Sequence, residues 1–282
     1  MSRPPAFLSV AILLLALASL LPACRGSAGQ LRLATTTSLY DTGLWEYLEP
    51  LFEDEYGIEL HVLSAGTGKA LELGKRGDVD AVVVHSRARE EQFVTKGYGV
   101  ERVPFAYNHF LIIGPESDPA NISGAGPEAA FAALMAKGET DEDIRFVSRG
   151  DDSGTHGKEK AIWASAGYDY EVVRASRSWY VESGSGMGTT LMMADEKQAY
   201  TLTDIGTYTT FESDLGLVPI VDEGDALLNV YSILVSTRAT NPAAASSMVE
   251  FLTSEQTQAL IGTYGVEEHG RQLFTPYARE DM

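Results

Sequence analysis

A turn rich in hydroxyl residues and glycine recurs four times in this chain, as TTTS (35–38), SAGTGKAL (64–71), SRGDDSGTHGKE (148–159) and GSGMGTTL (184–191). The first three follow apolar, strand-like runs directly, and all four lead into helical stretches. A strand–turn–helix unit repeated in this way predicts an α/β fold with mainly parallel sheets. In such sheets ligands sit beyond the carboxyl ends of the strands, so the turns belong on a ligand-facing edge. Glycine lets backbone N–H groups come close to a ligand, and hydroxyls add donors without charge.

The predicted strands cover 31–35, 58–64, 80–86, 109–114, 144–149, 199–204 and 230–236, with helices over 44–55, 69–74, 127–137, 157–165, 188–196 and 243–253. Two polar, Pro- and Gly-bearing stretches, PESDPANISG after 114 and VPIVDEGDALLN (218–229), read as linkers. They divide the chain into a discontinuous lobe I (31–114 and 223–282) and an inserted lobe II (115–222). Two crossings between lobes make a hinge, and hinged lobes commonly close on a ligand.

The first 24 residues differ in kind. Arg3 precedes a sixteen-residue apolar run, Ala6 to Leu21, that ends at Pro22-Ala23-Cys24. That is short for a bilayer span of about 20 residues and has the form of an export signal, placed here at 1–23. Cys24 is the sole cysteine, so disulfides, CxxC redox pairs and thiolate zinc clusters are excluded. LLPAC resembles a lipoprotein box, with Pro22 a departure from its pattern, and predicts an acylated Cys24 followed by a linker over 24–30. The net charge is −19; cleavage ahead of Cys24 removes Arg3 and no acid, which disfavours nucleic acid and anionic membrane surfaces as partners. Any anion must therefore be held locally.

Each turn also has a simpler use. One hydroxyl of the quartet Thr35 to Ser38 is accounted for as a helix N-cap; the others, beside free N–H groups and a helix dipole, suggest a bound anion. GTGKAL is not a phosphate loop, because Leu63 stands where that motif needs glycine and Ala70 where it needs Ser or Thr. Ser153 and His156 lack a nucleophile elbow and lie too close in sequence for hydrolase geometry. Arg149, at a strand end beside Gly150, could fork onto two oxygens of a tetrahedral anion or pair with Asp151 or Asp152. The histidines show no metal-binding spacing; His85 and His109 read as structural, and Trp45, Trp163 and Trp179 as core.

ATTTSLYDTGL, GTGKALELGKRGDVDAVVVHS, SRGDDSGTHGKE and GMGTTLMMADEKQAYTLTDIGTY together resemble the tungstate-binding receptors of ABC importers, which have the type II periplasmic-binding fold. The resemblance runs from Leu31 to the FLTSEQTQALIGTYG region. It implies a non-enzymatic, exported, monomeric receptor without cofactor that closes on tungstate, or molybdate, and delivers it to a permease driven by an ATPase. Carried onto this chain, the ligand residues would be Thr36, Thr37 and Ser38; Thr67 and Gly68; Arg149, Ser153 and Thr155; and Gly188 and Thr189. A phosphate receptor is the competing expectation, since R-x-D-x-S-G-T also resembles the anion loop of phosphate-binding proteins.

Overall fold

The computed structural model describes residues 29–277 except residue 177; the predicted export signal and Cys24 lie outside the described residues. Its strands are β1 (Gln30–Thr36), β2 (Glu59–Ala65), β3 (Ala81–Val84), β4 (Gly99–Pro115), β5 (Phe146–Ser148), β6 (Tyr180–Glu182), β7 (Thr201–Asp204), β8 (Leu217–Val221), β9 (Leu228–Ser236) and β10 (Thr275–Pro276). β2, β1 and β3 are parallel neighbours, joined through helices as parallel pairs must be. β9 then inserts between β3 and the first part of β4 and runs against both. The rest of β4 pairs antiparallel with β7 and β8, while β5 and β6 form a separate parallel pair. The sheet is thus mixed where the turn pattern predicted mainly parallel pairing. The antiparallel contacts come from β9 against β3 and β4 and from β7, β8 and β10 against β4, pairings between strands distant in sequence that local pattern does not encode.

Successive side chains of β1 and of the second half of β4 point to opposite faces, and both faces are buried. Leu31 and Leu33 of β1 pack with Trp45, Leu48 and Phe52, whereas Ala34 faces Ala70, Val82 and Phe93 on the other side. In β4, Phe110 and Ile112 join Phe131, Trp163 and Trp179, and Leu111 and Ile113 join Leu191 and Tyr208. Strands covered on both sides are continuous apolar runs, and each large side chain so buried contributes about 1.5 to 3 kcal/mol. The clusters fall into two sets. One draws on residues 31–106 and 231–274, the other on 110–227, and β4 crosses between them. All three tryptophans are buried, as predicted.

Local boundaries differ where caps decide them. The third loop's helix begins at Gly154, not Gly157, because Ser153 caps it, accepting from the His156 N–H. The second loop's helix spans Thr67–Arg76, wider than 69–74. The stretch 218–229 holds β8 in its first part, so only 222–227 separates two strands. Helices Arg87–Thr95 and Ile205–Phe211 were not predicted; both are short, and the first shows little amphipathic pattern.

Candidate functional site

At the end of β1 the hydroxyls divide their work. Thr35 accepts from the Trp45 indole N–H at 3.1 Å and so serves the core. Thr36 caps the short helix Thr37–Tyr40, accepting from the Leu39 N–H at 3.3 Å. Ser38 is buried, its Oγ 3.4 Å from Thr36 Oγ1 and 3.3 Å from His85 Nε2. Thr37 is half-buried. His85, read from sequence as structural, therefore touches the candidate site. Burial, with Arg149 and Lys158 nearby, pushes it down to about 4, so it is uncharged near neutrality.

After β2, the extended Gly66 turns the chain into the helix Thr67–Arg76. Thr67 is fully buried and its Oγ1 has no partner. Gly68 is exposed; a β-carbon there would lie 3.7 Å from Arg89 Nη1.

After β5, Gly150 adopts φ +61°, with Glu182 so close that any added side chain would collide with it. Ser148 Oγ accepts from the Gly150 N–H at 3.2 Å and donates to Glu159 at 2.6 Å. Glu159 also accepts from Tyr180 and Trp163, and burial raises its carboxyl to about 7. This turn leaves Arg149 only 4% exposed, with Nη2 2.5 Å from Asp151 Oδ2 and Nε without a partner. Asp151 also accepts from the Ser153 N–H at 3.2 Å. Ser153 is spent as the helix cap; Thr155 is buried and its Oγ1 has no partner. His156 Nδ1 accepts from the Asp152 N–H and its Nε2 faces Tyr170 OH at 2.6 Å, so it is not the base of a Ser153 dyad.

Two contacts bring these three loops together. His85 meets Ser38 on one side and, on the other, lies where a β-carbon on Gly154 would be 2.6 Å from its Cε1. Arg89, beside Gly68, donates to the Asp152 carbonyl at 3.1 Å and to its carboxylate at 2.9 Å. Asp152 thus pairs with Arg89 and Lys160, not with Arg149. The fourth loop contributes differently. Gly184 N–H and Ser183 Oγ donate to the Arg149 carbonyl, and Thr190 Oγ1 lies 2.7 Å from Ser183 Oγ. Gly188 instead packs under Phe211, and Thr189 is exposed.

Sequence reasoning missed Asp41 and Asp204. Burial raises both carboxyls against the opposing charge of Arg149, and Asp204 acts in turn on Asp41. Asp204 caps the helix Ile205–Phe211 through the Thr207 N–H and hydroxyl, a use legible in TLTDIGTY as a strand-end Asp with Thr three residues on. Asp41, Asp151 and Asp204 thus place three carboxyl groups around the one guanidinium of Arg149. Among the described residues no cluster of His, Cys, Asp or Glu could hold a metal ion, and no helix is long and apolar enough to cross a membrane.

Two cores joined through a shared long strand, with strand-end loops of both meeting at buried donors, define a solute receptor of the type II periplasmic-binding fold. The PBP superfamily domain matches residues 24–256. The chain is 44% identical over 254 residues to the tungstate-binding protein TupA of Peptoclostridium acidaminophilum, covering 89% of this chain and 86% of that one. The solved structure of the tungstate-binding protein TupA from Desulfovibrio alaskensis G20 is 39% identical with a TM-score of 0.75, over 89% of this chain and all of that one. That of the tungstate ABC transporter from Geobacter sulfurreducens is 41% identical with a TM-score of 0.72, over 83% and 98%. The chain belongs to the tungstate-binding protein family within the PBP superfamily.

Proposed function

We propose that this chain is the extracytoplasmic receptor of an ABC importer, capturing tungstate, and molybdate of nearly equal size and charge, for a membrane permease and its ATPase. It binds without making or breaking bonds, as a monomer. The observation that carries this reading is that Thr67 Oγ1, Arg149 Nε and Thr155 Oγ1 are buried without a protein partner on loops held against one another. Buried polar atoms are almost always paired, and of the nine unpartnered ones among the described residues these three lie on the strand-end loops, where a ligand can complete them. With Thr36, Thr37, Ser38, Gly68 and Ser153 around them they form the anion's cradle; Gly188 and Thr189 belong to its outer wall. Lobe I is 31–114 with 223–282, lobe II is 115–222, and closure is a rotation about β4 and the 222–227 connection. Residues 1–23 direct export and an acylated Cys24 tethers the receptor.

Phosphate is the weaker ligand. Near neutrality it keeps a proton that needs an acceptor, and Asp151, Asp152, Glu159 and Asp204 all already hold protein donors. Calorimetric titration with tungstate, molybdate, sulfate and phosphate tests the reading.

A further inference from the structure

His85 stands at the end of a buried polar chain. Its Nδ1 is 2.8 Å from Asn229 Oδ1, and Asn229 Nδ2 is 2.9 Å from Asn108 Oδ1 and 2.8 Å from Tyr231 OH. In this sense His85 carries its proton on Nδ1, and its bare Nε2 takes the Ser38 proton across 3.3 Å. Asn108 Nδ2 is then buried with no partner. An orphaned amide N–H is a rarer and costlier fault than an under-used carbonyl, and carboxamide oxygen and nitrogen are told apart only by their partners. Turning both amides over keeps every contact: Asn108 and Tyr231 donate to Asn229 Oδ1, Asn229 Nδ2 donates to His85 Nδ1, and the orphan becomes a carbonyl.

We infer that the chain runs in this second sense, so that His85 Nε2–H donates to Ser38 and the Ser38 proton turns from its long 3.4 Å contact with Thr36 Oγ1 to the bound oxyanion. The inference rests on the proposed placement of Ser38 beside that anion. It makes His85 a positioning residue that decides whether Ser38 offers a proton or a lone pair. A fully deprotonated dianion presents acceptors only, so a Ser38 whose proton is committed to His85 would meet it with a lone pair. Burial keeps His85 uncharged near neutrality, so it holds a single ring proton whose place the amides dictate.

Long-range 1H–15N spectra of the ligand-free, 15N-labelled full chain read the tautomer directly, with His85 assigned through its own backbone. The expected spectrum has the proton on Nε2; a proton on Nδ1 overturns the inference. In parallel, Ser38→Ala, His85→Phe and the double variant are titrated with sodium tungstate. Each single change should weaken binding by about tenfold, and the double variant should bind no more weakly than Ser38→Ala, because His85 acts through Ser38. Losses that multiply in the double variant would also overturn it. If the wild-type chain ignores tungstate, the proposed ligand falls while the spectrum still decides the tautomer.

Discussion

Arg89 and Asp152 tie the helix after β3 to the third loop, with Nη2 2.9 Å from the carboxylate and Nη1 3.1 Å from the backbone carbonyl of the same residue. Arg89 projects from the helix Arg87–Thr95, and Asp152, at φ +59°, lies in the turn that carries Arg149. The pair is partly exposed, and such pairs contribute about 0.2 to 1 kcal/mol. Arg89→Ala should therefore speed tungstate release by up to about fivefold in stopped-flow fluorescence and lower the ligand-free melting temperature by no more than about 4 °C. A loss of affinity as large as that of an Arg149 variant would instead put Arg89 in contact with the ligand.

Arg149→Ala is expected to be far more damaging. The guanidinium is buried, and truncating one partner of a buried charge pair costs about 2 to 5 kcal/mol, which weakens binding at least about thirtyfold. Arg145→Ala, on the exposed side of the strand entry, should bind like wild type. Arg149→Lys should recover only part of the loss, because an ammonium holds Asp151 and the anion as a point charge and not as a fork. Equal affinities in Arg149→Ala and wild type would remove this residue from the site.

Two buried groups give stability opposite pH dependences. His85 titrates near 6.5 when unfolded and at about 4 when folded, so the unfolded chain binds more protons in between and stability falls as pH drops through that window, by as much as about 3 kcal/mol. Glu159, near 4.5 unfolded and about 7 folded, retains its proton longer in the native state; its contribution declines as pH rises from 4.5 to 7 and is flat above. Relative to wild type, the melting temperature of His85→Phe should improve on acidification from pH 7 to 4.5, and that of Glu159→Gln on going from pH 5 to 8. Offsets that stay constant with pH would show that neither group titrates as described.

The anchor is tested by Cys24→Ala, which should move the protein from the membrane to the soluble exported fraction without changing tungstate affinity. Retention of the variant on membranes would contradict the lipid attachment.

Much of this arrangement was legible in the sequence because it is local. Strand ends followed by hydroxyl and glycine turns identify β1, β2 and β5 with their loops, and the cap at Thr36 belongs to the quartet in which one hydroxyl was expected to cap, whereas the cap at Ser153, three residues ahead of the expected helix start, was not foreseen. Arg149 could be picked out from its place after an apolar strand, and its partner Asp151 is two residues away. What stayed hidden depends on distant pairing. His85 reaches Ser38 only because β3 lies beside β1, and it is held by Asn229 from β9, 144 residues later. Asp41 and Asp204 come to act on Arg149 from 108 and 55 residues away in the sequence. Gly188 and Thr189 were chosen by motif, and helix phase turned the anchoring hydroxyl to Thr190 instead.

The central claim is a donor-only site for a bare tetrahedral dianion, and isothermal titration of the purified exported chain with tungstate, molybdate, sulfate and phosphate at pH 7.5 tests it most directly. The account predicts one-to-one, saturable binding of tungstate, with molybdate competing for the same site and a large excess of phosphate displacing neither. Tight phosphate binding that excludes tungstate and is lost in Asp151→Asn or Asp204→Asn would contradict it, because a carboxylate acceptor would then face the ligand's proton.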